Sequence, residues 1–496
     1  MATATISQLL VFAALLSVEH AGALPPKPDG PIVHTRYGDV QGMYAEEGAI
    51  FLGLPFGVPP VGELRWKPPQ AYNLSWAPDV RDGTVPGPAC RQDGCGVNDT
   101  DYQYTCNRDK NRTQSEDCLY LNVYVPRSLL LNTTVSLPVM CWIHGGQYVG
   151  GTGAALVYDG RFWANKTNTV VVTTNYRLGA FGYLVTGEGE DDARGNYGTL
   201  DQIEALKWVQ QNIADFGGDK DKVTVIGQSA GSDSIAVLLT SARAADLFHQ
   251  GIMLSVPFSI THKTQFEAIR LGNDISKLVN CSDGDMKCLR SAPADDILHA
   301  QDEAGRYIAD PFRLLEIFLQ WGPTVDGDVL PRQTVDSFAR GQFQKKPFII
   351  GNVGEEAVLY VYSAFGKPMS KLELDAVALA FFRGKGPTVL REYNPPQTSD
   401  YRPFLSQAAT DWVFVLADTM AYHYGNFAHT GDPNKSSPHV CIPNNVLKSP
   451  LNWPKYNEAN HYPNINFTTP HNVIVHAYNK EKCDFWDKEN IYSGTN

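Results

Sequence analysis

The 496-residue chain carries no Cys-x-x-Cys and no His-x-x-x-His spacing, so no metal centre built on paired ligands is read from it. It has neither a basic tract nor a long acidic run, and a net charge of −12 argues against nucleic-acid or anionic-membrane binding. Beyond residue 23 no apolar run is long enough to span a bilayer. Internal repeats, low-complexity tracts and linkers are also missing, so one large domain over residues 24–496 is preferred to two. What remains is a chain with 43% apolar residues, enough to bury a large core.

Its first 23 residues read as a secretory signal. Leu9 to Val18 is a short apolar run, and Ala21-Gly22-Ala23 supplies small residues before a cut ahead of Leu24, although no Lys or Arg precedes the run. Secretion agrees with eight Asn-x-Ser/Thr sequons, at Asn73, Asn98, Asn111, Asn132, Asn165, Asn280, Asn434 and Asn466, which mark an extracellular glycoprotein. The nine cysteines then read as disulfide partners. Cys281 and Cys288 close a small loop, and Cys90, Cys95, Cys106 and Cys118 form a nested pair with Cys95–Cys106 inside. Cys441 and Cys483 remain for the C-terminal region. Cys141, in the apolar run Leu137 to Ile143, is expected as a buried free thiol.

The chemistry concentrates at Val223-Thr224-Val225-Ile226-Gly227-Gln228-Ser229-Ala230-Gly231. Four strand formers enter Gly-x-Ser-x-Gly and a helix-compatible segment, Asp233 to Leu239, leaves it, which is the context of a nucleophile elbow. Gly227 and Gly231 give the strained turn its room, and the N–H of Ala230 is aimed at a developing oxyanion. Upstream, Trp142-Ile143-His144-Gly145-Gly146-Gln147 ends a strand in two glycines whose N–H groups would complete an oxyanion hole. His144 braces this loop rather than serving as the base. Leu119 to Tyr124 reads as an alternating strand, Val170 to Tyr176 as a buried strand of parallel type, and Asn196 to Phe216 as a helix with one apolar stripe. Strand and helix alternating from 137 to 240 predict an α/β fold with a mainly parallel sheet covered by helices on both faces.

The stretches FLGLPFGVPPVGELRW, SEDCLYLNVY, WIHGGQ, NYRLGAFGYL, VTVIGQSAGS, NFAHTGDPN and CDFW together resemble the type-B carboxylesterase and cholinesterase-like family of α/β-hydrolases, in that family's order. The resemblance implies Ser229 as nucleophile, Gly145, Gly146 and Ala230 as oxyanion donors, and Glu356, after the strand-like Phe348-Ile349-Ile350-Gly351, as the triad acid. It further implies buried pairs Arg65–Glu116 and Arg177–Asp201, disulfides Cys90–Cys118 and Cys281–Cys288, a small carboxylic ester as substrate, and no cofactor or metal.

Two positions depart from the family. Gln228 stands where a Glu usually precedes the serine. More seriously, Ala421-Tyr422-His423-Tyr424 runs directly into Gly425-Asn426-Phe427-Ala428-His429. The family has a strand and a His-Gly-x-Glu loop between such segments, so near 421–426 the chain lacks the triad histidine and one C-terminal strand. His423 and His429 are expected in structural roles. A serine hydroxyl without a base is a poor nucleophile. A catalytically silent binding protein, or a non-functional splice form, is therefore the competing expectation.

Overall fold

Val139, Cys141 and Ile143 point into one apolar cluster and Met140 and Trp142 into another, so their strand must be covered on both faces. The structure is a computed structural model that describes residues 30–93, 114–131, 134–258, 260–304, 319–382, 385–413, 463–466 and 473–476. The strand lies near the middle of an eight-stranded sheet. In chain order the sheet contains Met43–Ala45 (β1), Gly48–Pro55 (β2), Tyr120–Pro126 (β3), Leu137–Ile143 (β4), Val170–Thr174 (β5), Gly218–Gln228 (β6), Gln250–Leu254 (β7) and Phe348–Gly351 (β8). Their spatial order is β1-β2-β3-β5-β4-β6-β7-β8. The pairs from β5 through β4, β6 and β7 to β8 are parallel, whereas β1-β2-β3-β5 run antiparallel.

This is the predicted α/β architecture, with differences of detail. The Leu119–Tyr124 region does not alternate: β3 is buried from Leu121 to Pro126, because it sits between two other strands with both faces covered. Likewise β5 is parallel to β4 but antiparallel to β3. The helix expected over 196–216 runs from Tyr197 to Asn212 (α1) and ends in a 3-10 turn, Ile213–Phe216. It is covered almost all round rather than along a stripe, and Thr199, Asp201 and Gln202 are fully buried on it. Among the described residues the sheet ends at β8, and the segment near 421–426, where a further strand is expected to be missing, lies outside them.

Two ion pairs fix the loops that lead to the sheet. Arg177 meets Asp201 through Nη2–Oδ1 at 2.7 Å and Nε–Oδ2 at 2.8 Å, and its Nη1 donates to Lys67 O. Arg65 grips Glu116 through Nη2 and Nε at 2.6 and 2.7 Å and donates to the carbonyl of Ala292. Both are fork-to-carboxylate pairs, with the remaining N–H groups on backbone oxygens. Cys90–Cys118 and Cys281–Cys288 are bridged and Cys141 is free and buried. Cys95, Cys106, Cys441, Cys483, His423 and His429 lie outside the described residues, as do Asn98, Asn111, Asn132 and Asn434. Asn73 and Asn280 are exposed, Asn165 is half-buried, and Asn466 ends a short strand, Pro463–Asn466. No helix among the described residues is long and apolar enough to cross a membrane.

Removing one partner of the fully enclosed Arg177–Asp201 pair strands the other charge. Asp201→Ala is therefore expected to cost about 3–5 kcal/mol in denaturant unfolding, and a loss under about 1 kcal/mol would contradict that account.

Candidate active site

Ser229 sits between the end of β6 and the start of Ala230–Thr240 (α2), with φ 55° and ψ −124°. A non-glycine residue in this region costs on the order of 1–3 kcal/mol and persists only where neighbours hold it. Here Ser229 N–H donates to Leu254 O at 2.9 Å, which ties the turn to β7. Ser229 O receives Ser232 N–H and Asp233 N–H, both at 2.9 Å, and starts the helix. A Cβ on Gly227 would lie 2.5 Å from Gly231 O, and one on Gly231 only 2.1 Å from Ile143 O. The elbow is thus pressed against the end of β4 with no room for side chains at either glycine.

The Gly145 loop closes over the same point. A Cβ on Gly145 would come within 2.6 Å of Gln228 O and 3.1 Å of Ser229 Cβ, so the loop backbone lies directly beside the serine. Gly146, Gln147 and Tyr148 have φ of 109°, 55° and 60°, a run of left-handed backbone that turns the loop back on itself. Among the described residues the N–H groups of Gly145, Gly146 and Ala230 donate to no backbone acceptor outside regular secondary structure. A half-buried serine beside a glycine loop whose backbone lies against it is suited to holding a tetrahedral oxyanion.

His144 is fully buried, stacks on Tyr176 at 4.4 Å, and places Nδ1 2.8 Å from Gly145 O. Tyr176 in turn donates its hydroxyl to His144 O at 2.9 Å. The ring supports the loop from behind, and burial holds its pKa down to about 4 against an ordinary 6.5. Three of the histidines have other partners: His34 binds Asp39, His249 receives Val223 N–H, and His262 lies 3.5 Å from Asp233.

Glu356 lies past β8, where its Oε1 accepts Val353 N–H at 2.8 Å and closes the loop from the strand. The residue that sequence reading missed is Tyr360, four positions on, in the helix Val358–Ala364 (α3). Its hydroxyl lies near enough to the elbow for the side chains of Gln147 and Ser229 to act on its ionisation. Burial first, and the Glu356 carboxylate after it, push the phenol's pKa up, while the Gln147 and Ser229 side chains draw it down. Helical spacing from Glu356 is its only signal in the sequence. Also unforeseen is a buried network beneath the elbow, in which Tyr148 donates to Asp233 at 2.8 Å and Asp233 faces His262.

The family model described as "Carboxylesterase family" matches residues 29–383. The chain is 38% identical over 381 residues to "Crystal protein" of Dictyostelium discoideum, covering 76% of this chain and 66% of that protein. It is 33% identical over 450 residues to "cAMP-regulated D2 protein" of the same organism, covering 86% and 80%. To "Carboxylesterase 1D" of Rattus norvegicus it is 37% identical over 370 residues, covering 72% of this chain and 63% of that enzyme. The chain thus spans less than two thirds of the rat protein.

Because the His144 pKa is lowered on folding, the unfolded chain takes up a proton that the folded one refuses between about pH 6.5 and about pH 4. Stability from this group is complete above that window and falls by about 3 kcal/mol as the pH drops through it. Denaturation of a His144→Gln variant at stepped pH is expected to lack this part of the decline. A decline equal to that of the parent would remove His144 as its source.

Proposed function

This chain belongs to the carboxylesterase family, and from that premise we propose that it hydrolyses small carboxylic esters through Ser229, slowly for want of an imidazole partner. The observation that carries the reading is the contact of the Gly145 loop with the elbow, which sets a nucleophile against the backbone of two glycines. In the attack, Ser229 Oγ bonds the ester carbon and the carbonyl pair moves to oxygen, facing the N–H groups of Gly145, Gly146 and Ala230. Expulsion of the alcohol leaves an acyl-serine, which water then cleaves. No metal or cofactor takes part in these steps.

Removal of a triad member typically leaves about 10³- to 10⁴-fold catalysis over water, supplied by the oxyanion hole and binding. That is the level proposed here. Glu356 is proposed as the triad acid on the family resemblance, and one of its oxygens accepts Val353 N–H. The competing reading, a catalytically silent binding protein of the same fold, is favoured by the want of a His-Gly-x-Glu context anywhere in the sequence. A fluorophosphonate probe separates the two. Labelling at Ser229, with p-nitrophenyl acetate turnover lost in Ser229→Ala, is expected of the esterase. Absence of labelling and equal turnover in both proteins would leave the binding protein.

The chain is further proposed to be a secreted glycoprotein, on the strength of its N-terminal run, its sequons and its two described bridges. Enzymatic removal of N-glycans from protein made in a secretory host is expected to lower its mass, with Asn73 and Asn280 converted to Asp. Unchanged mass with unmodified Asn73 and Asn280 would overturn the assignment.

A further inference from the structure

The loop that carries Gly145 and Gly146 has to be held in place. Gly146, Gln147, Tyr148 and Gly151 all have positive φ, the last at 111°. Two of the four are not glycine, and each such residue costs on the order of 1–3 kcal/mol unless its surroundings impose the conformation. Within the loop, Gly146 O accepts the N–H groups of Val149 and Gly150, both at 3.0 Å. That closes a tight turn without fixing where the turn sits. Its far end supplies the fix. A Cβ on Gly151 would meet His144 Nδ1 at 2.4 Å and Gly145 O at 2.7 Å, so Gly151 lies directly against the first residues of the loop.

Gln92 grips that glycine on both polar groups of its backbone. Its Oε1 accepts Gly151 N–H at 2.7 Å, and its Nε2 donates to Gly151 O at 2.9 Å and to Cys90 O at 3.0 Å. The residue is buried, so water competes little for these bonds. Gln92 is itself anchored. Its N–H donates to Gln114 Oε1 at 3.0 Å, and Cys90, two residues back, is bridged to Cys118. A second carboxamide ties the same segments together. Asn175, just past β5, donates to Pro88 O at 2.9 Å and Cys118 O at 3.1 Å. Its Oδ1 accepts Thr152 Oγ1–H at 2.9 Å and Gly153 N–H at 2.8 Å.

We propose that Gln92 is a positioning residue of the ester-hydrolysing site, its carboxamide holding Gly151 so that the amides of Gly145 and Gly146 stay aimed at the oxyanion. The proposal rests on the esterase reading above and adds to it a residue that acts through Gly151 rather than on the ester. The side chain suits the task. A carboxamide presents a donor and an acceptor side by side, matching the N–H and C=O of one residue. A carboxylate in its place has no donor and sets a charge against Gly151 O, whereas a protonated acid recovers one donor and with it the match. Without the clamp, Gly151 is free to leave His144 and Gly145, and the loop relaxes out of its positive-φ backbone. Oxyanion donors engage fully only in the transition state, so the loss falls on the acylation rate rather than on ester binding.

The test is acylation of the full chain, read as single-turnover release of p-nitrophenol from p-nitrophenyl acetate with protein in excess and the Ser229→Ala rate subtracted. The limiting rate of Gln92→Ala is expected to fall about ten- to a hundredfold. Its half-saturating concentration is expected to change by less than about twofold. Gln92→Glu keeps the shape and gives a readout that a merely structural role would not move. Its rate relative to the parent is expected to be low at about pH 8 and to climb toward one by about pH 5, as burial helps the introduced carboxyl take up a proton. This keeps the test decisive if Gln92→Ala does not fold. Equal limiting rates in parent and Gln92→Ala, or a ratio for Gln92→Glu that stays low and flat across that range, overturn the assignment while Ser229-dependent turnover stands. If parent and Ser229→Ala are equally fast, the esterase reading falls instead, and hydrogen exchange at the Gly151 amide judges the clamp by itself. Exchange as slow in Gln92→Ala as in the parent overturns it.

Discussion

The backbone of Ser229 is the constraint on which the rest of this molecule depends. A residue with φ 55° cannot hold that conformation by itself, and each neighbour contributes a restraint. Leu254 supplies the acceptor that anchors the turn to β7, and two amides of α2 fasten the serine carbonyl. Ile143 and His144 occupy the space that a side chain on Gly231 would need. The order of the sheet follows from this requirement. β6 must lie between β4 and β7, because β4 brings the donor loop and β7 brings the anchor.

The second layer of support is polar and buried. His144 is kept neutral by its surroundings and spends its Nδ1 on the carbonyl of Gly145, so the loop that faces the serine rests on an uncharged ring. Beneath the elbow, Tyr148 connects that loop to Asp233 on α2, and His262 faces the same carboxylate. Burial pushes the Asp233 carboxyl up, while His262 and the Tyr148 hydroxyl draw it down. The loop and the helix of the site therefore share one carboxylate. Such shared groups make the donors and the nucleophile move as a unit, which is what preorganisation requires.

Much of this was legible in the residues because the strongest signals are steric. Gly227, Gly231 and Gly145 mark close approaches between backbones, and the strand before Ser229 and the helix after it are local matters of propensity. The pairs Arg65–Glu116 and Arg177–Asp201 and both described bridges were carried by the family resemblance and stand in the fold. The coverage of β3 and α1 was misread, since it depends on what packs against their outer faces, and no pattern internal to a segment encodes that. Tyr360 was invisible for a different reason. It lies on a helix that looks ordinary by itself, and only the fold brings it within reach of the Gln147 and Ser229 side chains.

Cys141 has a consequence of another kind. Its register neighbours are Val172 on β5 and Val225 on β6, it is fully buried, and burial pushes its thiol up to about 12. An unpaired sulfur in a chain that also forms bridges is a standing hazard for mispairing, because thiolate is the species that attacks a disulfide. Here the hazard is contained by position. The sulfur points into the apolar cluster on one face of the sheet, so it reaches a thiol reagent only when that covering layer lifts, and fraying at β1 or β8 leaves it silent. The rate at which it is alkylated is thus a clock for the opening of the core over the strand that carries the donor loop.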